Sequence, residues 1–159
     1  MRRFALFSAV LIMATGCGGG SSPDLTGTNN IGNNSSGPLS ATIDGIAWAS
    51  PTPAAIYKNN IVSVAGIDLG LTASVGFATG VNGPGVYSLS YRNQLAGVGT
   101  VSKVGQGWTS GLQGGTGTLN LTTLTTNHVA GTFSFDAVPA SGGATGVLHV
   151  TNGKFDITF

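Results

Sequence analysis

The stretch VAGTFSFDAV, residues 129–138, decides the fold, because its apolar and polar side chains alternate with a period of two. Its apolar residues share one face and its polar residues share the other: Val129, Phe133, Phe135 and Ala137 against Thr132, Ser134 and Asp136. Alternation of this kind is typical of a β-strand with one buried face. The stretch therefore predicts a sheet that covers an apolar core.

Three other segments repeat the pattern, namely LTASVGFA (71–78), YSLSY (87–91) and KFDITF (154–159). We expect their apolar side chains to face the core: Leu71, Ala73, Val75 and Phe77; Tyr87, Leu89 and Tyr91; Phe155, Ile157 and Phe159. The chain contains no Glu, while Thr, Val and Gly are abundant, which favours strands and turns over helices.

Short turn signals separate these segments. Asp44-Gly45 and Asn59-Asn60 each lie between apolar runs, and Asn152-Gly153 is the strongest hairpin signal in the chain. Pro51, Pro53 and Pro84 fall in predicted connections, where a missing N–H is harmless. The chain is predicted to be all-β, an antiparallel β-sandwich or flattened barrel of about nine or ten short strands.

The N-terminal residues 1–16 have the features of a signal peptide. Arg2 and Arg3 precede an apolar run from Phe4 to Met13, which is too short to span a bilayer. The run ends in small residues before Cys17, the single cysteine of the chain. This ending resembles the lipobox of bacterial lipoproteins, which implies cleavage before Cys17 and acylation of its thiol. Several acyl chains anchor a protein stably.

The segment that follows Cys17 is rich in Gly, Ser and Asn and has no hydrophobic periodicity. We expect residues 17–38 to be a disordered tether and residues 39–159 to be one β-sandwich domain. Residue 18 is Gly rather than the Asp that usually retains such lipoproteins in the inner membrane. The protein is therefore expected to be exported and lipid-anchored in the cell envelope, with the outer membrane favoured where the host has one.

Three segments of the predicted domain resemble a family of small bacterial lipoproteins of unknown function. They are ATIDGIAWAS (41–50), HVAGTFSFDAV (128–138) and VTNGKFDITF (150–159). Members of that family place a DG-x-x-W segment early and a G-T-F-x-F strand late, after a lipobox. The resemblance implies a secreted β-sandwich and brings no catalytic residues with it.

The charge balance argues against nucleic-acid binding. After removal of residues 1–16, four basic residues oppose five aspartates, and charged residues make up only 7% of the chain. No basic stripe is present, so an interaction with phosphates has no electrostatic support. We expect no nucleic-acid partner.

The ionisable residues do not predict a catalytic or metal site. His128 and His149 are the only histidines, and we expect both in turns or on the surface. Asp136 and Asp156 fall on the polar faces of strands. A zinc site would need three convergent ligands, and no G-x-S-x-G elbow accompanies the serines. We therefore predict no catalytic residue, no bound metal and no cofactor.

The two tryptophans differ in context. Trp108 lies in GQGWTSGLQGGTG, residues 105–117, the most glycine-rich stretch of the domain. We expect a long hairpin loop there, with Trp108 partly exposed and available to contact a ligand. Trp48 lies in a short strand and is expected in the core.

Three functions are compatible with these features. The first is a membrane-anchored envelope lipoprotein with a non-catalytic domain, whose partner is a glycan or an envelope protein. The second is a secreted hydrolase. The third is a passive subunit of a surface assembly, which a long edge strand or an exposed apolar patch would favour.

Replacement of Cys17 tests the predicted anchor. Cys17→Ser should abolish acylation and move the protein from the membrane fraction to the soluble fraction, because residues 18–38 contain no other apolar anchor. Unchanged partitioning in a detergent-fractionation assay would show that Cys17 does not anchor the protein.

Overall fold

The computed structural model describes residues 37–70, 72–91 and 97–159, and all regular elements in these ranges are β-strands. The eleven strands are β1 (Leu39–Ile43), β2 (Ile46–Ser50), β3 (Ala54–Lys58), β4 (Ile61–Ile67), β5 (Ala73–Gly80), β6 (Gly85–Ser88), β7 (Val98–Lys103), β8 (Gln106–Thr109), β9 (Thr116–Leu124), β10 (His128–Ser141) and β11 (Leu148–Thr158). All pairings between them are antiparallel. The predicted fold class is therefore confirmed, with one or two more strands than expected.

The sheet curls on itself around the long strand β10. One layer has the order β6-β9-β10-β11-β1-β2, and the other has the order β10-β8-β7-β5-β4-β3. The first part of β10 pairs with β9 and β11, and its last residues, from Val138 to Ser141, pair with β8. A single strand thus joins the two layers, and the core lies between them.

The free end of the first layer is held to the second by two side chains of β2. The Trp48 indole donates a hydrogen bond from Nε1 to the Ala73 carbonyl (3.2 Å), and the Ser50 hydroxyl accepts one from the Ile67 backbone N–H (3.2 Å). Trp48 is 5% exposed, as expected for a core residue.

The predicted faces are confirmed along β10 and β5. The apolar side chains of 129–138 expected in the core are buried there, as are Ala73, Val75 and Phe77 of β5. Leu71 lies outside the described residues. Four phenylalanines meet across the two layers: Phe77 lies 5.2 Å from Phe133 and 5.1 Å from Phe155, and Phe133 lies 6.1 Å from Phe135, between ring centroids.

Two aromatic residues expected in the core are exposed. Phe159 is 41% exposed, because β11 ends at Thr158 and nothing in the described part of the chain covers the residue beyond it. Tyr91 also lies past the end of its strand, β6, which stops at Ser88. Beyond the end of a strand, period two no longer determines the side-chain direction, although Leu89, one residue past β6, is buried as predicted.

Two of the three predicted hairpin turns are present. Asp44-Gly45 joins β1 to β2 and Asn59-Asn60 joins β3 to β4, and all four residues have positive φ angles. A two-residue turn with both central residues at positive φ matches the twist of the strands it connects. A third such turn, Val104-Gly105, joins β7 to β8.

The hairpin predicted at Asn152-Gly153 is wrong. Both residues lie inside β11, where Asn152 has a φ of 54° and the pairing with β10 and with β1 shifts register. The pair therefore forms a bulge, which inserts one residue into a strand without ending it. A side chain at Gly153 would overlap the Phe133 ring, at 2.7 Å, so the glycine is also required by the core.

Candidate functional site

The outer face of the β9-β10-β11 layer is rich in hydroxyl groups. Alternate residues of each strand point to the core, which leaves the others exposed or half-buried on this face. They are Thr116, Thr118, Asn120 and Thr122 of β9, Thr132, Ser134 and Asp136 of β10, and Thr151 of β11. Serine and threonine hydroxyls both donate and accept hydrogen bonds, so this face suits a polar ligand.

Three grooves on this face join into one trough, which we call the hydroxyl trough. The first, of about 390 Å³, is lined by residues that include Ser134, Asp136 and Thr151. The second, of about 470 Å³, shares Ser134 and Thr151 with the first. The third, of about 520 Å³, shares Thr132 and Lys154 with the second. Since neighbouring grooves share walls, the trough runs along the strands and could hold an extended chain.

A histidine–aspartate pair lies at one end of the hydroxyl trough. Asp136 and His149 are direct cross-strand partners on β10 and β11, and His149 Nδ1 lies 2.7 Å from Asp136 Oδ1. The Thr116 hydroxyl donates to the other carboxylate oxygen (3.3 Å), and the His149 backbone N–H donates to Asp44 Oδ1 (2.8 Å). Both members of the pair are exposed.

The surroundings of His149 favour its charged form. The hydrogen bond to Asp136 and then the negative charge of that carboxylate raise the pKa of His149 above its usual value of 6.5, and Asp44 adds a smaller effect in the same direction. Because the pKa of His149 is higher in the folded state than in the unfolded state, the protonated ring contributes to folding stability, and this contribution is complete below pH 6.5. That contribution is lost as the pH rises through the folded-state pKa.

A second pair lies near the opposite end of the same strands. His128 Nε2 lies 2.8 Å from Asp156 Oδ1, and the Asp156 backbone N–H donates to the Pro38 carbonyl (2.8 Å). The surface positions predicted for His149, Asp136 and Asp156 are confirmed. Neither pair was predicted, because both depend on the β10–β11 register, and the His149–Asp136 pair also depends on the bulge at Asn152.

The chemistry available to the His149–Asp136 pair is limited by its surroundings. In a catalytic triad the aspartate binds Nδ1 and the serine hydroxyl binds Nε2. Among the described residues, no hydroxyl hydrogen-bonds to His149, and no group of three or more His, Cys, Asp or Glu side chains could hold a metal ion. The pair offers a ligand a carboxylate and an imidazole ring that are joined by a hydrogen bond.

The expectation that Trp108 is exposed is wrong. Trp108 lies in β8 rather than in a loop and is 6% exposed, close to the value for Trp48. The β10–β11 connection covers the indole, whose Nε1 lies 3.1 Å from the Gly146 carbonyl and 3.3 Å from that of Thr145. The ring is thus a core element and offers no surface to a ligand. The residues that cover Trp108 lie more than 30 positions away in the sequence, so the residues next to Trp108 gave no indication that it is buried.

Residues 1–36, which include the predicted signal peptide, Cys17 and most of the tether, lie outside the described residues. In the ranges that are described, no helix is long and apolar enough to cross a membrane.

Comparison with known proteins places most of the chain in one family. Residues 35–156 match the family described as Domain of unknown function (DUF6252). Searches of curated proteins and of solved structures each found no match to the chain.

An NMR titration of the histidine ring tests the His149–Asp136 pair. We expect the pKa of His149 to lie above 6.5, and Asp136→Asn should lower it, because the negative charge that raises the pKa is removed and the hydrogen bond to it is weakened. Asp156→Asn is the matched control, since it deletes the carboxylate of the other pair and should leave His149 unchanged. An equal response of His149 to both substitutions would show that the pair does not form.

Proposed function

Because the chain belongs to the DUF6252 family, whose function is unknown, we propose a function from the molecule itself: a non-catalytic, glycan-binding domain of the cell envelope, held to a membrane through acylated Cys17. The hydroxyl trough is the observation that supports this proposal most directly. A sugar chain presents many hydroxyl groups in a row, and the trough presents hydroxyl and carboxylate groups along three neighbouring strands.

The polar groups of the trough match the chemistry of a glycan. Carboxylates accept strong hydrogen bonds, and Asp136 lies among Ser90, Thr116 and Ser134 in the first groove. Lys154 supplies a cationic donor farther along. Among the described residues that line the trough, the aromatic rings are buried and give a sugar no surface on which to stack. Hydrogen bonds would therefore supply most of the affinity, and weak binding is expected.

The proposed anchor and location come from the sequence. The apolar run before Cys17, the small residues beside it and the Gly, Ser and Asn-rich segment after it support an exported lipoprotein. An anchored domain on a long tether would meet glycans near the membrane. Repeated attachment along one polymer would compensate for weak individual sites.

A second function, a subunit of a surface assembly, is favoured by one observation. Strand β3 ends the second layer, and within the described residues it pairs only with β4. Ile56 on β3 and Ile61 on β4 are exposed large apolar side chains beside this edge. Unpaired edges with apolar neighbours are templates for pairing with another chain.

A glycan array of bacterial polysaccharides, probed with the purified mature protein, tests the proposed function. We expect binding to at least one polymer, and Asp136→Asn should weaken it at least tenfold, because a charge-assisted hydrogen bond contributes about 1.5–3 kcal/mol. Thr52→Ala is the control, since Thr52 is exposed in the β2–β3 connection and lines none of the three grooves.

Two results would contradict the glycan proposal. One is equal loss of binding in Asp136→Asn and Thr52→Ala. The other is the absence of binding to every polymer, which, together with concentration-dependent self-association in analytical ultracentrifugation, would favour the assembly function.

A further inference from the structure

An apolar groove of about 330 Å³ opens at one end of the domain. The β1–β2 turn, the β4–β5 connection and the β7–β8 turn meet there, and Ile43 and Trp48 are among the residues that line it. Three large aliphatic side chains are exposed around these connections. Ile46, at the start of β2, and Val104, in the β7–β8 turn, line the groove and are 70% and 87% exposed. Leu69 lies in the β4–β5 connection next to Asp68 and is 86% exposed. We call these three residues the aliphatic tips.

Val104 is an outlier in its own turn. Its φ angle is 37°, in the left-handed region that β-branched residues rarely adopt. Asp44 and Asn59 occupy the same position of the other two-residue turns, and their short polar side chains tolerate this conformation. Val104 is exposed, and its side chain disfavours the backbone conformation that it adopts. Residues in strained backbone conformations are concentrated at functional sites, so the surface around Val104 is a candidate functional surface.

Two charges of opposite sign flank the aliphatic tips. Lys103 and Asp68 both line the groove. The Asp68 carboxylate accepts hydrogen bonds from the backbone N–H groups of Thr72 (2.7 Å) and Ala73 (3.3 Å) and from the Thr72 hydroxyl, which is the largest cause of its lowered pKa. The rim therefore presents one cation and one fixed anion.

We propose that this end of the domain docks on a bilayer of zwitterionic phospholipid, with the aliphatic tips in the acyl region and Lys103 and Asp68 among the head groups. The opposite charges of the rim complement a phosphate and an ammonium group. The aliphatic tips are Ile, Leu and Val, whereas the residues that contribute most to binding in protein interfaces are enriched in Trp, Tyr and Arg. This composition favours lipid over a protein as the partner. For exposed aliphatic side chains, in contrast, transfer from water into hydrocarbon is favourable.

The reach of the chain fits this docking, which rests on the proposed anchor at Cys17. Residues 18–36 separate Cys17 from the first described residue, and 19 residues extend at most about 65 Å. Strand β1 begins beside Pro38 and ends at Ile43 in the groove, a distance of about 17 Å. The end of the domain that bears the tips can therefore reach the membrane that holds the anchor.

A fluorophore placed at the tips tests the docking in the acylated protein. Acylation consumes the only thiol of the chain, so Val104→Cys, Leu69→Cys or Ile56→Cys each adds a single reactive site. Each variant is labelled with an environment-sensitive dye in vesicles of phosphatidylethanolamine and phosphatidylcholine that carry nitroxide-labelled acyl chains. Ile56 is the matched control, because it is an exposed aliphatic residue on the β3 edge, away from the groove.

We expect blue-shifted emission and at least threefold stronger nitroxide quenching at positions 104 and 69 than at position 56. Equal quenching at all three positions in vesicle-bound protein would overturn the docking. It is also the result expected if a protein, rather than lipid, occupies this end of the domain. Protein that stays out of the vesicles would refute the anchor, and the docking with it.

Val104→Asn separates lipid contact from folding. Asparagine tolerates the left-handed conformation, so this variant should melt about 2–4 °C higher than the parent while losing an aliphatic tip. Quenching of the dye at position 69 should fall at least twofold in this more stable variant. Unchanged quenching at position 69 would contradict the proposal.

Discussion

The packing of phenylalanine rings between the two layers is the interaction on which the rest of the structure depends. Phe77 comes from the second layer and contacts Phe133 and Phe155 of the first, with centroid separations of 5.2 and 5.1 Å. The rings fit because glycines lie opposite them. A side-chain carbon at Gly99 would lie 2.6 Å from the Phe135 ring, and one at Gly153 would lie 2.7 Å from the Phe133 ring. The glycine content of the domain therefore serves close packing as well as turns.

The hydroxyl trough is the outer counterpart of this core. Successive residues of a strand point to opposite faces, so the residues that precede and follow Phe133 and Phe135 on β10 must lie outside. Thr132, Ser134 and Asp136 occupy those positions. The bulge at Asn152 then shifts the register of β11, and His149 comes to lie directly opposite Asp136. Leu69 and Val104 obey a different rule, because they lie in connections, which are free of the alternation that the core imposes on strands.

The sequence was sufficient to predict which faces of the strands are buried, and it was insufficient wherever distant segments determine the outcome. Period two identified the core side of 129–138 and of β5. Asn152-Gly153 has the composition of a hairpin turn, and only the Phe133 ring and the neighbouring strands show why it is a bulge. Trp108 is buried by residues 145 and 146, which no local pattern connects to it. The His149–Asp136 pair was unpredictable for the same reason, since it requires the correct register.

A double-mutant cycle on Gly99 and Phe135 tests the central claim that the phenylalanine rings pack closely between the layers because glycines leave room for them. The free energy of unfolding is measured by urea denaturation for the parent, Gly99→Ala, Phe135→Ala and the double variant. Overpacking should make Gly99→Ala destabilising by about 1–3 kcal/mol when the ring is present. We predict that this cost nearly vanishes in Phe135→Ala, because the atoms that the new methyl group meets are those of the ring. Additive effects, within about 0.5 kcal/mol, would contradict the account.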